Sequence, residues 1–371
     1  MRKILLATTA LVGFAVAGAA QAATAPLSVT VGGDVNFVAA AFHEAQASAG
    51  ATEPTGADFE TLYSLNFGIA GKAANGIEYG GTLVLDNKPT DINAYAGETD
   101  ALAVTQASIF MSGAYGKVQV GDARGALDLT TTAPSVGGTT YVDFLNTNAS
   151  FAKDLVVGID DGTDYSTNVT YYTPKFGTEV GKLQAAVTYV PKKSSVGSNV
   201  ALDQTDVYKN LIKGAIAYTG NIQKVAVNAS VDIISGADGS ADASTVQDFT
   251  AWGIGAKAAY QGFTLGATYA DNGDYNVTAA QKEQRIVTAG LKYEFGKYAV
   301  GFDYLNGEGQ SGATFAADRV KSLDVYNFGG SYTWAPGLTT TVNGVFFDQD
   351  VDTASSDNKG YVFLLSQKLA F

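Results

Sequence analysis

The sequence has 371 residues, a formal net charge of −13 and no cysteine. The acidic balance argues against a duplex nucleic-acid partner, and the lack of cysteine excludes disulfides and thiolate metal sites. After residue 22 no apolar run approaches the roughly 20 residues that a transmembrane helix needs. Glycine, tyrosine and phenylalanine are abundant and the mean hydropathy is near neutral at +0.05. The chain is therefore not a helical membrane protein.

The first segment has the features of an export signal. The chain begins with the basic head MRK, continues with an apolar run from Ile4 to about Ala17, and reaches the small-residue site AQA at 20–22. The apolar run is too short to span a bilayer of about 30 Å, which argues against a membrane anchor. We predict a signal peptide over residues 1–22 and a single mature domain over residues 23–371.

Segments with an apolar residue at every second position recur through the mature domain. In YSLNFGIAG the apolar face consists of Tyr63, Leu65, Phe67 and Ile69, and the other face is small or polar. The same alternation appears in KLQAAVTYV, KVAVNASVD, FTLGATYA and KYAVGFDYL. Since successive side chains of a strand point to opposite faces, these segments are predicted to be strands with one face in an apolar environment.

Short and long connections alternate between these strands. Seven short turns are predicted, and each closes a hairpin; with a first strand at about Leu27–Phe42 and a terminal strand YVFLLSQKLAF, the strands number sixteen. This pattern is typical of outer-membrane barrels, in which the last strand must pair with the first so that every backbone group is bonded. The predicted turns lie at 73–76, 115–116, 176–181, 220–221, 261–262, 296–297 and 335–337.

The predicted fold is therefore all-β, a sixteen-stranded antiparallel transmembrane barrel. A soluble β-sandwich or a secreted β-repeat protein is the alternative, because sandwich strands also have one apolar face. Two observations argue against it. Aromatic residues recur at strand ends, as interfacial belts require, and the lengths of the connections alternate regularly.

One connection, from about 123 to 167, is far longer than the others and corresponds to the third external loop. Long loops in compact folds are usually functional or disordered, and this one contains enough apolar residues to pack inside a sixteen-stranded barrel, which is wide enough for a channel. We expect it to fold inward, with its acids facing lysines on the wall. The alternation also assigns Lys224 to the lumen, and the residues predicted for the pore constriction are Arg124, Asp128, Asp143, Asp154, Lys213, Lys257 and Lys292.

At this point the sequence resembles the trimeric general porins of Gram-negative outer membranes, most closely the α-proteobacterial type. The segments that carry the resemblance are AYGKVQVGD (114–122), VTYYTPKFG (169–177), the terminal Phe371 and PSVGG (134–138), which is similar to the P-E-F-G-G of many porin loops. Ser135 stands where those loops have Glu, which departs from a pattern associated with cation preference.

The resemblance implies an outer-membrane homotrimer that passes small hydrophilic solutes and ions by passive diffusion, through an eyelet with acids on the loop and bases on the wall. It also implies contact with outer-membrane lipid and lipopolysaccharide. The terminal Phe371 is similar to the signal that the barrel-insertion machinery recognises. Two alternatives stay open: a substrate-specific channel of the same fold, and a structural or adhesive surface barrel.

The sequence predicts no enzyme activity and no organic cofactor. The single histidine, His43, lies at the end of the first strand with no acid pattern beyond Glu44, and no helix start follows the glycines of the segment WGIG, so a dinucleotide site is not indicated. Calcium is the one candidate ion. Asp160, Asp161 and Asp164 offer hard oxygen ligands, although a solvated turn explains the same residues.

Overall fold

The computed structural model describes residues 23–46, 55–87, 103–136, 165–178, 180–193, 208–239, 248–275, 284–309, 320–351 and 357–371. Strands make up most of these ranges, and one short 3₁₀ helix, Gly125–Leu129, is present. Among the described residues, no helix is both long enough and apolar enough to cross a membrane. The predicted signal peptide lies outside the described residues.

The strands follow one another around a closed antiparallel barrel. Each strand pairs with its neighbours in sequence, and the last strand pairs with the first, so the predicted sixteen-stranded barrel is confirmed. The strands are β1 Ala23–Gln46, β2 Thr55–Ala73, β3 Glu78–Asp86, β4 Ala103–Gly113, β5 Gly116–Asp122, β6 Thr167–Tyr172 with its continuation Phe176–Gly177, β7 Gly181–Lys192, β8 Tyr208–Ile222, β9 Val225–Asp238, β10 Phe249–Tyr260, β11 Phe263–Asp271, β12 Arg285–Phe295, β13 Tyr298–Gly309, β14 Val320–Ala335, β15 Leu338–Val351 and β16 Asn358–Ala370.

Strand β6 is interrupted between its two pieces. Both pieces pair with β7, so they occupy a single position in the barrel. Pro174 lies in the interruption and has no backbone N–H to donate to a neighbouring strand. The gap is instead bridged by Thr173, whose backbone N–H donates to the Ala185 carbonyl at 2.9 Å.

The barrel is closed by pairing of the two chain ends. The register of β1 and β16 runs from Asp34 opposite Ala370 to Gln46 opposite Asn358. Beyond it, Gly33 and Phe371 exchange two backbone hydrogen bonds of 3.0 Å each. A Cβ on Gly33 would lie 2.2 Å from the Ser64 carbonyl oxygen of β2 and 3.1 Å from the Phe371 ring, so the close approach of β2 requires glycine at this point of the seam.

The outer surface is apolar and carries two aromatic belts. Near the short turns, the rings of Tyr293, Phe295, Tyr298, Tyr332 and Trp334 form an unbroken row across three strands, with neighbouring centroids 4.7–5.5 Å apart. A second belt at the other end of the strands includes the pairs Trp252–Tyr269 and Tyr304–Tyr326. The belts are six to eight residues apart, roughly 20–26 Å along a strand, which suits the apolar band of an outer-membrane barrel.

One polar side chain interrupts the outward row of β16. Gln367 accepts a hydrogen bond from Thr340 Oγ1 at 2.6 Å, and Trp334 Nε1 donates to the same Thr340 oxygen at 2.8 Å. The three side chains lie at the aromatic belt near the short turns, where polar groups meet interfacial water. This network gives Gln367 a partner at the edge of the apolar band.

The predicted short turns at 73–76, 261–262, 296–297 and 335–337 are confirmed. The turn predicted at 115–116 lies at 114–115, Phe176, Gly177 and Gly181 of the turn predicted at 176–181 are strand residues, and the turn predicted at 220–221 is wrong. Strand β8 continues to Ile222, and the turn consists of Gln223 and Lys224, with Gln223 in the left-handed region at φ +57°. The cross-strand pairing of Asn221 and Ile222 with β9 extends the hairpin past the glycine. Lys224 is therefore an exposed turn residue and not part of the inner wall.

The inner wall includes two buried apolar clusters. One spans β12–β16 and β1 and includes Val345, Phe347 and Val362, each at most 3% exposed. The other is centred on Tyr208, Phe249 and Tyr275, whose rings lie 4.8–5.3 Å apart. The side chains of these clusters face inward and are buried.

Candidate functional site

The long connection leaves β5 through the 3₁₀ helix. Gly125 has φ +69°, and a Cβ there would lie 2.4 Å from Thr188 Oγ1 of β7, so the helix begins in direct contact with the wall. The next residue, Ala126, is fully buried, and its backbone N–H donates to the same Thr188 oxygen at 2.7 Å. The loop therefore turns onto the inner wall within three residues of β5.

Tyr172 of β6 fixes the orientation of the helix. Its hydroxyl lies 2.8 Å from the Gly125 carbonyl and 3.1 Å from Asp128 Oδ2. Lys117 Nζ lies 3.9 Å from the centre of the Tyr172 ring, within cation–π range. The Asp128 carboxylate is thereby held on the side of the loop that faces the short turns.

From Thr130 to Val136 the loop lies along the inner wall. Glycines make this close approach feasible: a Cβ on Gly255 would lie 2.4 Å from the Thr131 carbonyl oxygen, and one on Gly290 would lie 2.0 Å from that of Pro134. Both distances are far below van der Waals contact, so any side chain at these positions would displace the loop. Three hydrogen bonds mark its course from β7 through β9 to β15: Ala126 N to Thr188 Oγ1 (2.7 Å), Thr131 N to Ser230 Oγ (2.7 Å) and Asn343 Nδ2 to Val136 O (3.0 Å).

A buried polar network holds the far end of this segment. Asp303 Oδ1 accepts hydrogen bonds from Ser135 Oγ and Asn327 Nδ2, both at 2.8 Å. Asn343 Nδ2 lies 3.0 Å from both the Val136 carbonyl and Asn327 Oδ1. A buried carboxylate requires such partners. The similar porin loops have a glutamate at the position of Ser135. Here the loop supplies the Ser135 hydroxyl instead, and the acid of the contact is Asp303 on the wall.

A row of polar side chains lies on the wall beside the loop, on the side of the short turns. The pairings Lys182–Thr219, Thr219–Asn228 and Asn228–Lys257 align these four residues across β7 to β10. Together with Lys175 and the loop residues from Asp128 to Thr131 they line a cavity of about 260 Å³. The loop and this row thus enclose a polar, predominantly basic space.

The structure places the predicted constriction residues in different environments. Lys257 and Asp128 line the same cavity. Lys292 faces inward on β12 and forms an ion pair with Glu294 at 3.2 Å. Arg124 directly precedes the 3₁₀ helix. Lys213 also faces inward, but it is fully buried.

Several predicted residues lie outside the described ranges. These are the loop acids Asp143 and Asp154 and the calcium candidates Asp160, Asp161 and Asp164. Within the described residues, no group of three or more His, Asp or Glu side chains is placed to hold a metal ion.

Sequence reasoning missed the residues that anchor the loop and part of the basic row. Asp303, Asn327 and Asn343 occupy inward positions of the alternation, and a polar residue at such a position was the available signal. Lys182 was equally accessible, because its neighbour Leu183 is on the apolar face. Their convergence depends on the register between strands, which the sequence pattern does not contain.

These features define a class. A closed sixteen-stranded barrel with an apolar outer surface, aromatic belts at both ends and a loop laid along its inner wall is a transmembrane channel of the outer-membrane type.

The comparisons with known proteins identify the family. A family model described as Gram-negative porin matches residues 7–352. The chain therefore belongs to the Gram-negative porin family and is an outer-membrane diffusion channel. A search of curated protein sequences finds no match.

Solved structures show the same fold at low sequence identity. The anion-selective porin from Comamonas acidovorans is 14% identical with a TM-score of 0.60, covering 93% of this chain and 100% of that one. The outer membrane channel DcaP of Acinetobacter baumannii is 16% identical with a TM-score of 0.59, covering 93% and 97%. OmpF of Salmonella typhi, solved in complex with daunomycin, is 13% identical with a TM-score of 0.57, covering 93% and 98%.

Proposed function

We propose that this porin is a general diffusion channel for small hydrophilic solutes and ions, and that the loop segment 125–136 helps to set its bore. The observation that supports the proposal is the attachment of this segment to the inner wall from β7 to β15 by hydrogen bonds of 2.7–3.0 Å. A loop fixed in this way narrows the lumen by a constant amount. A fixed constriction separates solutes by size, without a conformational step in each passage.

A substrate-specific channel of the same fold is the second candidate. It would bind one solute in preference to others of equal size, and Tyr141 and Phe144 of the long connection are the loop aromatics suited to that role. Both lie outside the described residues. The described part of the lumen favours the general channel, because the polar groups that line the 260 Å³ cavity are amides, hydroxyls, ammonium groups and the Asp128 carboxylate, which together can bind many polar solutes.

Flux measurements discriminate between the two. Proteoliposomes with the purified chain should swell in neutral sugars at rates that fall smoothly with solute size, and planar bilayers should show ohmic steps. Saturation by a single sugar, or one sugar passing much faster than others of its size, would favour the specific channel. The absence of steps and of swelling would contradict both.

We also propose that the functional unit is a homotrimer in contact with outer-membrane lipid and lipopolysaccharide, inserted by the machinery that recognises Phe371. The family membership supports these assignments. The homotrimer is tested by measuring the mass of the detergent-solubilised protein. Three chains per particle are expected, and a monomer would contradict the proposal.

We further propose that Asp143 and Asp154 contribute acids to the constriction, opposite Lys257 and Lys292. The inward position of both lysines supports the basic side of this arrangement. The acidic side is tested by the substitutions given in the Discussion.

A further inference from the structure

Three lysines, Lys175, Lys182 and Lys257, line one cavity and form no ion pair with any described carboxylate. Lys72, Arg285, Lys292 and Lys368 each lie within 3.1–3.5 Å of a carboxylate oxygen. Among the described residues, no carboxylate lies within ion-pair distance of Lys175, Lys182 or Lys257. In a chain with 36 acidic residues and 23 basic ones, three such lysines around one cavity are a concentrated positive charge.

The geometry of the row suits an anion of small size. Lys182 and Lys257 stand at its two ends, three strand spacings apart, or roughly 14 Å between their Cα atoms. Lysine has a flexible four-carbon stem, so both ammonium groups can lean towards a ligand between them. The two middle positions, Thr219 and Asn228, supply a hydroxyl and an amide that donate hydrogen bonds to oxygen atoms.

The loop closes the space on one side. Ser230 and Gly255 lie two residues away from Asn228 and Lys257 along β9 and β10, on the same inner face, and Thr131 of the loop contacts both. Two residues along a strand correspond to roughly 7 Å. Asp128 is the one acid among the described residues that line the cavity, and its carboxylate lies 3.1 Å from the Tyr172 hydroxyl. Among the described residues that line the cavity, three lysines thus stand against one carboxylate, which is an excess of positive charge.

We propose that this row, Lys182–Thr219–Asn228–Lys257 with Lys175, is a binding site for small oxyanions that carry two negative charges, such as phosphate or a short dicarboxylate. The inference rests on the proposed channel function and gives it a chemical preference. An anion that has passed the loop is held at the row before it leaves towards the short turns.

The experiment uses inorganic phosphate as the probe on the full-length channel in planar bilayers, with chloride conductance recorded at constant ionic strength and pH. Wild-type conductance should fall with phosphate concentration in a saturating manner. In K182M/K257M the half-blocking concentration should rise by at least about tenfold, because losing one charge-assisted contact accounts for roughly that factor. Each single variant should give an intermediate value, which covers the case in which the double variant does not fold.

The matched control is K224M/K297M, which also removes two positive charges near the short turns but at positions outside the cavity. Its half-blocking concentration should stay within about twofold of wild type, which is well below the roughly tenfold change expected for the loss of one charge-assisted contact. An equal shift in control and test variants, or no saturating block of the wild type, would overturn the site. Neutral-sugar flux is measured in parallel: its loss would refute the channel proposal, whereas normal flux without phosphate block would refute only the anion site.

Discussion

Replacing Gly290 with alanine should detach the loop from the wall. The added Cβ would lie 2.0 Å from the Pro134 carbonyl oxygen, whereas ordinary contact begins near 3.4 Å. Both partners of this contact are backbone, since Gly290 is inside strand β12 and the clashing atom is the Pro134 carbonyl oxygen, so no side chain can rotate away to relieve it. The loop must therefore move into the lumen by roughly 1.4 Å, since strands of a close-packed wall yield less than a loop.

A displacement of this size breaks the neighbouring anchors. The Ser135–Asp303 hydrogen bond (2.8 Å) and the Asn343–Val136 hydrogen bond (3.0 Å) would lengthen to roughly 4 Å, beyond bonding distance. One of them involves a charged group, so the two together contribute about 2–4 kcal/mol. A loss of roughly 3 kcal/mol raises the population of the detached loop by about 100-fold.

Single-channel recording is the assay. Gly290→Ala should show brief closures and lower mean conductance, because the loop enters the open lumen. Gly330→Ala is the matched control: its Cβ would point outward and lie 3.7 Å from the nearest atom, Val342 Cγ2. Recordings from Gly290→Ala that are indistinguishable from this control and from wild type would refute the inference that the loop is fixed at β12.

Three further predictions concern the loop acids, the seam and calcium. Changing Asp143 and Asp154 to Asn should shift the reversal potential in a salt gradient towards anions, and an unchanged value would remove both from the constriction. Deleting Phe371 should lower the yield of inserted barrel but not the conductance of channels that form, because the seam loses two backbone hydrogen bonds, about 1–3 kcal/mol; a normal yield would contradict this. If Asp160–Asp164 binds calcium, chelation lowers the thermal midpoint, whereas an unchanged midpoint assigns the segment to a solvated turn.

Much of the fold could be predicted because a strand's alternation is a local property. Phe363 and Leu365 were assigned to the lipid face from their spacing, and both are about half exposed on the outer surface (51% and 50%). The error at 220–221 has a physical cause. Glycine there suggested a turn, but pairing between β8 and β9 continues two residues further, and Gln223 adopts the positive φ.

The site was predicted less completely, because it depends on neighbours far away in sequence. Alternation assigned Lys213 and Lys257 to the inner face, and both are there, yet one is fully buried and the other lines the cavity. Alternation predicts whether a side chain points inward or outward, but it does not predict which other residues bury that side chain. Likewise, Gly255 and Gly290 lie along the path of the loop because of the register of β10 to β12, which the sequence pattern does not contain.

The path of the loop also imposes an order on the folding of the chain. Thr131 bonds a residue 99 positions later in the sequence, Ser135 one 168 positions later and Val136 one 207 positions later. Contacts at such separations form late, because the intervening chain must first be ordered. The segment that narrows the pore is thus synthesised early and reaches its place only when the C-terminal strands have arrived. A barrel in which the loop has not yet attached to the wall would have a wide, unselective pore. The channel therefore reaches its final pore diameter in one of the last steps of assembly.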